Sequence, residues 1–219
     1  MSQLRTRPCP PRLEPVTLTG RFVRLEPLGR QHAADLVPAA LSDPRIWDYM
    51  FLPILAPKDV EPWIEAALVE QSTGLTLAFV VVDLASGRVV GSTRYLDYRP
   101  VHRGIEIGWT WYARWAWSTA VNPEAKLLLL RYAFETLGCM RVQLKTDERN
   151  LRSRAAIARL GAREEGILRK HMLVRHGVVR NSVYFSILDD EWPSVEAGLL
   201  ARLAEAQPPS LPANPAGSA

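Results

Sequence analysis

Apolar and polar residues alternate through VTLTGRFVRLEPL (16–28) around Gly20-Arg21, which predicts a strand or a short hairpin. The spacing then becomes helical. GRQHAADLVPAALSDP reads as a helix interrupted by Pro38 and closed at Asp43-Pro44, and APKDVEPWIEAALVEQSTG as a second running from near Asp59 to near Gly74. Three strands at hairpin spacing follow, 75–84, 88–98 and 104–112, the first two joined by a turn at Ser86-Gly87. Residues 122–137 predict a helix whose Leu127 to Leu130 run allows burial on most sides. A short strand (140–146) and a helix (150–161) ending at Gly161 come next. AREEGILRKHMLV and VVRNSVYFSIL are strands joined at His176-Gly177, and DDEWPSVEAGLLARLAEA ends the fold. The order β-αα-βββ-α-β-α-ββ predicts a mixed α/β sheet with one strand–helix–strand–helix passage in the middle.

Composition adds boundaries. A chain of 219 residues, 47% hydrophobic, suits one domain with a self-sufficient core, expected over 16–205. Residues 1–15 hold four prolines and read as a flexible arm, and 206–219 read as a disordered tail. Cys9 and Cys139 do not make a disulfide framework, no apolar run reaches the length of a membrane span, and no signal-type segment opens the chain. The expectation is a cytoplasmic protein. Net charge is +4, but residues 141–180 carry eleven Lys/Arg against four Asp/Glu, which is +7 and leaves −3 elsewhere. Such a region suits a phosphorylated cofactor, an acidic substrate or nucleic acid, or is simply a solvated face. Without interleaved aromatics, nucleic acid is the least favoured of these.

Candidate chemistry is sparse. Phosphate loops, dinucleotide glycine fingerprints, zinc-protease and nucleophile-elbow motifs are all absent. His32, His102, His171 and His176 are scattered, so no metal site is expected, and Cys139 suits a buried structural thiol. Two helix starts remain. Asn122-Pro123-Glu124 reads as an N-cap, first-turn proline and first-turn carboxylate, directly after Trp111, Trp115 and Trp117. Asn150 is the cap of the next helix, with Ser153 one turn later. Each start is ordinary capping taken alone. On consecutive helices separated by one strand, they suggest a ligand with a phosphate end and an amide-bearing arm.

The stretches GIEIGWTWYARWAWSTAVNPEAKLLLLRYAFE and VQLKTDERNLRSRAAIARLGAREEGILRKHM, with YFSILDDEW after them, resemble the GNAT superfamily of acetyl-CoA-dependent N-acetyltransferases. Within it they are most similar to the branch that acetylates ribosomal-protein N-termini at alanine or serine. The likeness covers roughly residues 16–193. It implies a mainly antiparallel central sheet with a splayed strand pair and flanking helices.

By that resemblance Trp109, Thr110 and Trp111 lie nearest the pantetheine arm. Ser118, Thr119, Ala120, Val121 and Asn122 form the loop and helix start that cradle the pyrophosphate. Asn150 holds the arm and Ser153 is a cofactor-contacting position. Two positions depart from the family pattern. Ser118 and Ala120 stand where glycines are usual, which restricts positive φ, and Ile157 replaces a tyrosine that protonates the departing thiolate. Glu106 is the implied base, sharing a face with Gly108 and Thr110 by alternation, or else the partner of an arginine such as Arg94 or Arg103. Tyr184, His171 and Asp97 are further candidates. An α-amine is already roughly 10% neutral at pH 7, against about 0.04% for a lysine, so an N-terminal acceptor needs little help from a base. The expected partners are acetyl-CoA and an amine, a peptide N-terminus or a small molecule, with no membrane. The branch also implies a possible homodimer, in which Trp192 is an interface anchor or the closing core residue. The alternative is a non-catalytic acyl-CoA-binding module.

Overall fold

The computed structural model describes residues 8–206. The 16–28 segment is a hairpin of β1 (Leu18–Thr19) and β2 (Val23–Pro27), followed by α1 (Ala33–Ala40) and α2 (Val60–Ser72). Pro38 sits inside α1 without breaking it. The three hairpin-spaced strands are β3 (Leu77–Asp83), β4 (Val89–Arg99) and β5 (Gly104–Tyr112). Helix α3 (Val121–Arg131), prolonged by a wider turn over Tyr132–Thr136, crosses to β6 (Arg141–Asp147), and α4 (Leu151–Ala158) follows. The chain closes with β7 (Arg163–Leu173), β8 (Val179–Leu188) and α5 (Trp192–Ala204).

These strands form one eight-stranded sheet in the order β1-β2-β3-β4-β5-β6-β8-β7. Every neighbouring pair is antiparallel except β5 and β6, which the α3 crossover makes parallel. Strand β3 lies at the centre of two layers and is buried along its whole length, so its sequence reads as an unbroken apolar run. Leu77, Phe79 and Val81 face a core shared with α3 and α5, whereas Ala78, Val80 and Val82 face a second core under α1 and α2. Trp192 packs in the first core, its ring stacked 5.5 Å from Phe134.

The expected arm over 1–15 needs correction where it is described. Leu13 is buried, its N–H donates to the Gly74 carbonyl at 2.8 Å, and the Tyr98 hydroxyl donates to the Pro10 carbonyl at 2.8 Å. Residues 8–13 are therefore held against the domain, because Leu13 completes the first core. Residues 1–7 of the arm, and the tail expected beyond Ala206, lie outside the described residues.

Two features of β5 create the opening that matters for function. It pairs with β6 only from Gly104 to Glu106, opposite Arg141 to Gln143. Further along, Ser92 of β4 faces Trp111 while Arg94 faces Gly108, so β5 carries one residue more than its partner. This bulge lets Trp109 adopt φ +50, a left-handed conformation that a bulky side chain rarely takes. The Trp109 ring is held there against the Arg94 guanidinium at 4.6 Å and the Phe51 ring at 6.1 Å.

The bulge also overturns the alternation expected for the strand. Thr110 lies near Lys126 of α3, its hydroxyl 2.6 Å from the amine, whereas Trp111 enters the core under α1 and α2. One inserted residue shifts the register of every later side chain by one face.

Candidate active site

Between β5 and β6 the sheet opens on a cavity of about 460 Å³. Its wall is built from β5 beyond Glu106, the 144–146 stretch of β6, the starts of α3 and α4, and the 45–51 loop. Of the residues singled out from the sequence, Glu106, Trp109, Thr110, Trp111, Ser118, Thr119, Asn122, Asn150 and Ser153 all line it. Ala120, Val121 and Tyr184 do not, and neither do His171 and Asp97.

At one end lies Glu106, only 1% exposed. Its partner is neither Arg94 nor Arg103. Lys145 donates to Oε2 at 3.0 Å and the Gln143 amide to the same oxygen at 2.8 Å. Arg94 instead pairs with Glu70, and the Arg103 guanidinium donates to the Gly138 carbonyl. Oε1 of Glu106 makes no hydrogen bond among the described residues and points toward Gly108, where an added Cβ would come within 3.1 Å of it. Glycine at 108 thus leaves this oxygen uncovered.

Tyr184 lies within reach of the Glu106 charge, its hydroxyl 3.3 Å from His171 Nε2, while His171 Nδ1 lies 2.9 Å from the Ser182 hydroxyl. Burial and the nearby Lys145 and Arg180 charges hold the His171 imidazole below its usual range, so it is neutral near pH 7. Asp97 is half-exposed on a β4 irregularity, within 3.5 Å of Arg99.

The opposite end is the approach to α3. Ser118 takes φ +62, so the chain adopts the left-handed turn there without a glycine. The expected N-cap shifts by two residues. Ala120 caps α3, Asn122 is its second residue, and neither makes a capping side-chain bond. Pro123 therefore occupies the third helical position, where it still removes no intrahelical bond. The Thr119 hydroxyl, a candidate donor to a ligand, is spent on the Ala116 carbonyl at 2.8 Å. The backbone amides of Thr119, Ala120 and Asn122 donate to no group among the described residues. On α4 the expectation holds, since Asn150 Oδ1 accepts from the Ser153 amide at 3.0 Å.

The three tryptophans have three different roles. Trp111 is core, 5.0 Å from Trp47 and 6.0 Å from Trp63. Trp115 is exposed. Trp117 gathers the guanidinium groups of Arg152, Arg114 and Arg45 over its ring, at 3.9, 5.0 and 5.6 Å. Those arginines give the entrance of α3 a concentrated positive charge.

Sequence reasoning passed over several wall residues. Lys126 is the clearest, a lysine 5% exposed in the apolar run of α3. Its amine donates to Thr110 Oγ1 at 2.6 Å and to Thr93 Oγ1 at 3.3 Å, and burial draws it down to about 7. A lysine directly before the LLLL run (127–130) was the available signal. Lys145 and Arg180 carried none, because strand residues reveal their partners only once the sheet is assembled. Glu124, expected to serve the helix start, instead crosses to the β1–β2 turn. It accepts from the amides of Arg21, Phe22 and Val23 at 2.8, 2.5 and 2.7 Å. Gly20 makes room for it, since a Cβ there would lie 2.4 Å from the Glu124 carboxyl carbon.

A mixed sheet parted between two parallel strands, with free helix-entry amides at one end of the gap and a buried carboxylate at the other, is the frame of an acyl-group transferase. The family model described as an acetyltransferase (GNAT) domain matches residues 23–163, and the chain belongs to that family. A GCN5-related N-acetyltransferase from Brucella melitensis superposes with a TM-score of 0.84 at 34% identity, over 92% of this chain and 91% of that one. RimJ of Mycobacterium smegmatis, solved in complex with CoA-disulfide, shares the fold at a TM-score of 0.74 and 24% identity, over 89% and 97% of the two chains. A Bacillus subtilis (strain 168) protein named "Putative ribosomal N-acetyltransferase YdaF" is 34% identical over 109 residues. That match spans 50% of this chain and 58% of the relative. Among the described residues no helix is long and apolar enough to cross a membrane, and no group of three or more His, Cys, Asp or Glu is placed to hold a metal ion.

Proposed function

We propose that this chain transfers an acetyl group from acetyl-CoA to a primary amine, by direct attack with both substrates bound. The observation that carries the reading is the single cavity joining free amides at the entrance of α3 to the uncovered oxygen of Glu106. The donor supplies a thioester carbonyl already activated for attack. The chain's residues fit such a molecule: the Thr119 and Asn122 amides and the arginines on Trp117 suit its phosphates. The Asn150 amide group, whose Oδ1 is used in capping, keeps its Nδ2 for a ligand carbonyl.

Glu106 Oε1 is placed to take the proton released by the attacking amine, directly or through one water. Gln143 and Lys145 fix the carboxylate through Oε2 and leave Oε1 for the amine. The bulge at Gly108–Trp109 breaks the ladder with β4, so backbone amides there can turn toward a developing oxyanion. Ile157 lines the cavity where the resemblance implies a tyrosine acid, so release of the thiolate needs no tyrosine here.

Two measurements test the reading. A thermal melt should show stabilisation by acetyl-CoA, about 2.7 kcal/mol at one hundred times the dissociation constant. Glu106→Gln should then lower kcat by roughly 10²–10⁴-fold for a peptide or small amine while leaving acetyl-CoA affinity intact. Binding with no turnover for any amine would leave the acyl-CoA-binding module as the reading, and no binding at millimolar donor would remove both.

A further inference from the structure

Seven cationic side chains line the cavity, against one carboxylate, Glu106. Six have an account: Arg45 belongs to the cluster on Trp117 and to Asp43, Arg152 to that cluster, Lys145 to Glu106 and Lys126 to the Thr110 and Thr93 hydroxyls, and Arg159 and Arg202 are exposed to solvent. Arg180 has none. It is 7% exposed, it reaches the cavity from β8, and its only hydrogen bond among the described residues runs from Nε to the Ser182 hydroxyl at 3.0 Å.

The two carboxylates whose charges act on it are Asp147 and Glu106, and both are occupied by other cations. Asp147 accepts from the Arg149 amide, Nε and Nη2 at 3.0, 2.8 and 2.6 Å. Glu106 is held by Lys145 at 3.0 Å. Neither carboxylate comes within salt-bridge distance of Arg180, and His171, linked through Ser182, is neutral. A guanidinium withdrawn from water without a counter-charge is costly, and the planar fork suits a carboxylate. Arg180 lies opposite Met172 of β7, near Glu106 and Tyr184, whereas the arginines suited to donor phosphates gather on Trp117 at the entrance of α3.

We infer that Arg180 is an acceptor-binding residue that pairs with a carboxylate on the molecule being acetylated, so that the preferred acceptor is an amine carrying an acidic group beside it. This rests on the proposed acetyl transfer and narrows its substrate class. Two sources present that chemistry, the side chain of an acidic residue at a peptide N-terminus and the α-carboxylate of a free amino acid. A polyamine, which brings only positive charge, is disfavoured by the same geometry.

The test uses the full chain and matched acceptors: amidated peptides beginning with Glu or Gln, and alanine beside alaninamide. One carboxylate-bearing member should exceed its neutral partner in kcat/KM by roughly 10–100-fold, mainly through KM, as expected for a charged hydrogen-bonded pair. Arg180→Met should collapse that ratio to near one, and Arg180→Lys should keep part of it, with CoA affinity measured separately by calorimetry. Calorimetric titration of the same peptides into CoA-loaded protein reads acceptor recognition without turnover. Equal affinity for Glu and Gln peptides and for alanine and its amide would overturn the inference. So would an Arg180→Met variant that loses CoA affinity and keeps the acceptor ratio, since the guanidinium would then serve the donor. Acidic acceptors that bind but are never acetylated by the wild-type chain would remove acetyl transfer and leave the carboxylate site standing.

Discussion

Replacing Lys126 with methionine should make the protein more stable, by an amount that depends on pH. The lysine is 5% exposed and has two hydroxyl partners, Thr110 and Thr93, but no carboxylate. Burial lowers its amine from about 10.5 to about 7. The unfolded chain therefore binds a proton that the folded chain gives up between those values, and stability rises with pH across that window. At about 1.4 kcal/mol per tenfold change, the penalty is roughly 5 kcal/mol well below pH 7, about 4 at pH 7 and about 2 at pH 9. Methionine is unbranched and one atom shorter, so it fills most of the space and removes the charge. The two threonines stay satisfied, because their hydroxyls already lie 2.8 Å apart. Urea unfolding of both proteins at pH 6, 7.5 and 9 should show Lys126→Met ahead at all three, with the gap shrinking as pH rises. A variant less stable than wild type by the same amount at every pH would refute the reasoning, since the amine would then be well solvated or paired.

Two further perturbations probe the frame of the site. Glu124→Ala removes the acceptor for three amides at the β1–β2 turn, and urea unfolding should show a loss of roughly 3–5 kcal/mol; a loss below 1 kcal/mol would mean that water replaces the carboxylate. Ser118→Gly relieves a residue at φ +62 and should stabilise the chain by about 0.5–1 kcal/mol, without weakening acetyl-CoA in a binding titration. Weaker donor binding would show that the serine hydroxyl, rather than the turn, serves the phosphates.

Much of the frame was legible in the sequence because it depends on local spacing. The order of strands and helices, the hairpin at Gly20-Arg21, and the Asn150 cap with Ser153 one turn later follow from periodicity and capping chemistry. Periodicity also put Glu106 in the central strand, and the family resemblance implied its place on the cavity wall. The α3 entrance was half legible. Its composition announced a helix start, but the cap falls on Ala120, and Ser118 takes the left-handed turn that the missing glycines seemed to forbid.

What only the tertiary structure decided are relations between residues far apart in the chain. Nothing around Trp109 signals a bulge, because its strained conformation is held by Phe51 and Arg94, contributed by other elements. That bulge carries Thr110 to Lys126 and Trp111 to the opposite core. Glu124 meets a turn about a hundred residues earlier, and Lys145 meets Glu106 across the parallel pair. That Arg180 has no carboxylate partner among the described residues is visible only once Glu106 and Asp147 are seen to hold other cations. The sequence by itself determined the elements and their order, since hydrogen-bonded backbone and apolar periodicity are local. Which buried guanidinium is left without a carboxylate is set by the three-dimensional arrangement of the other charges.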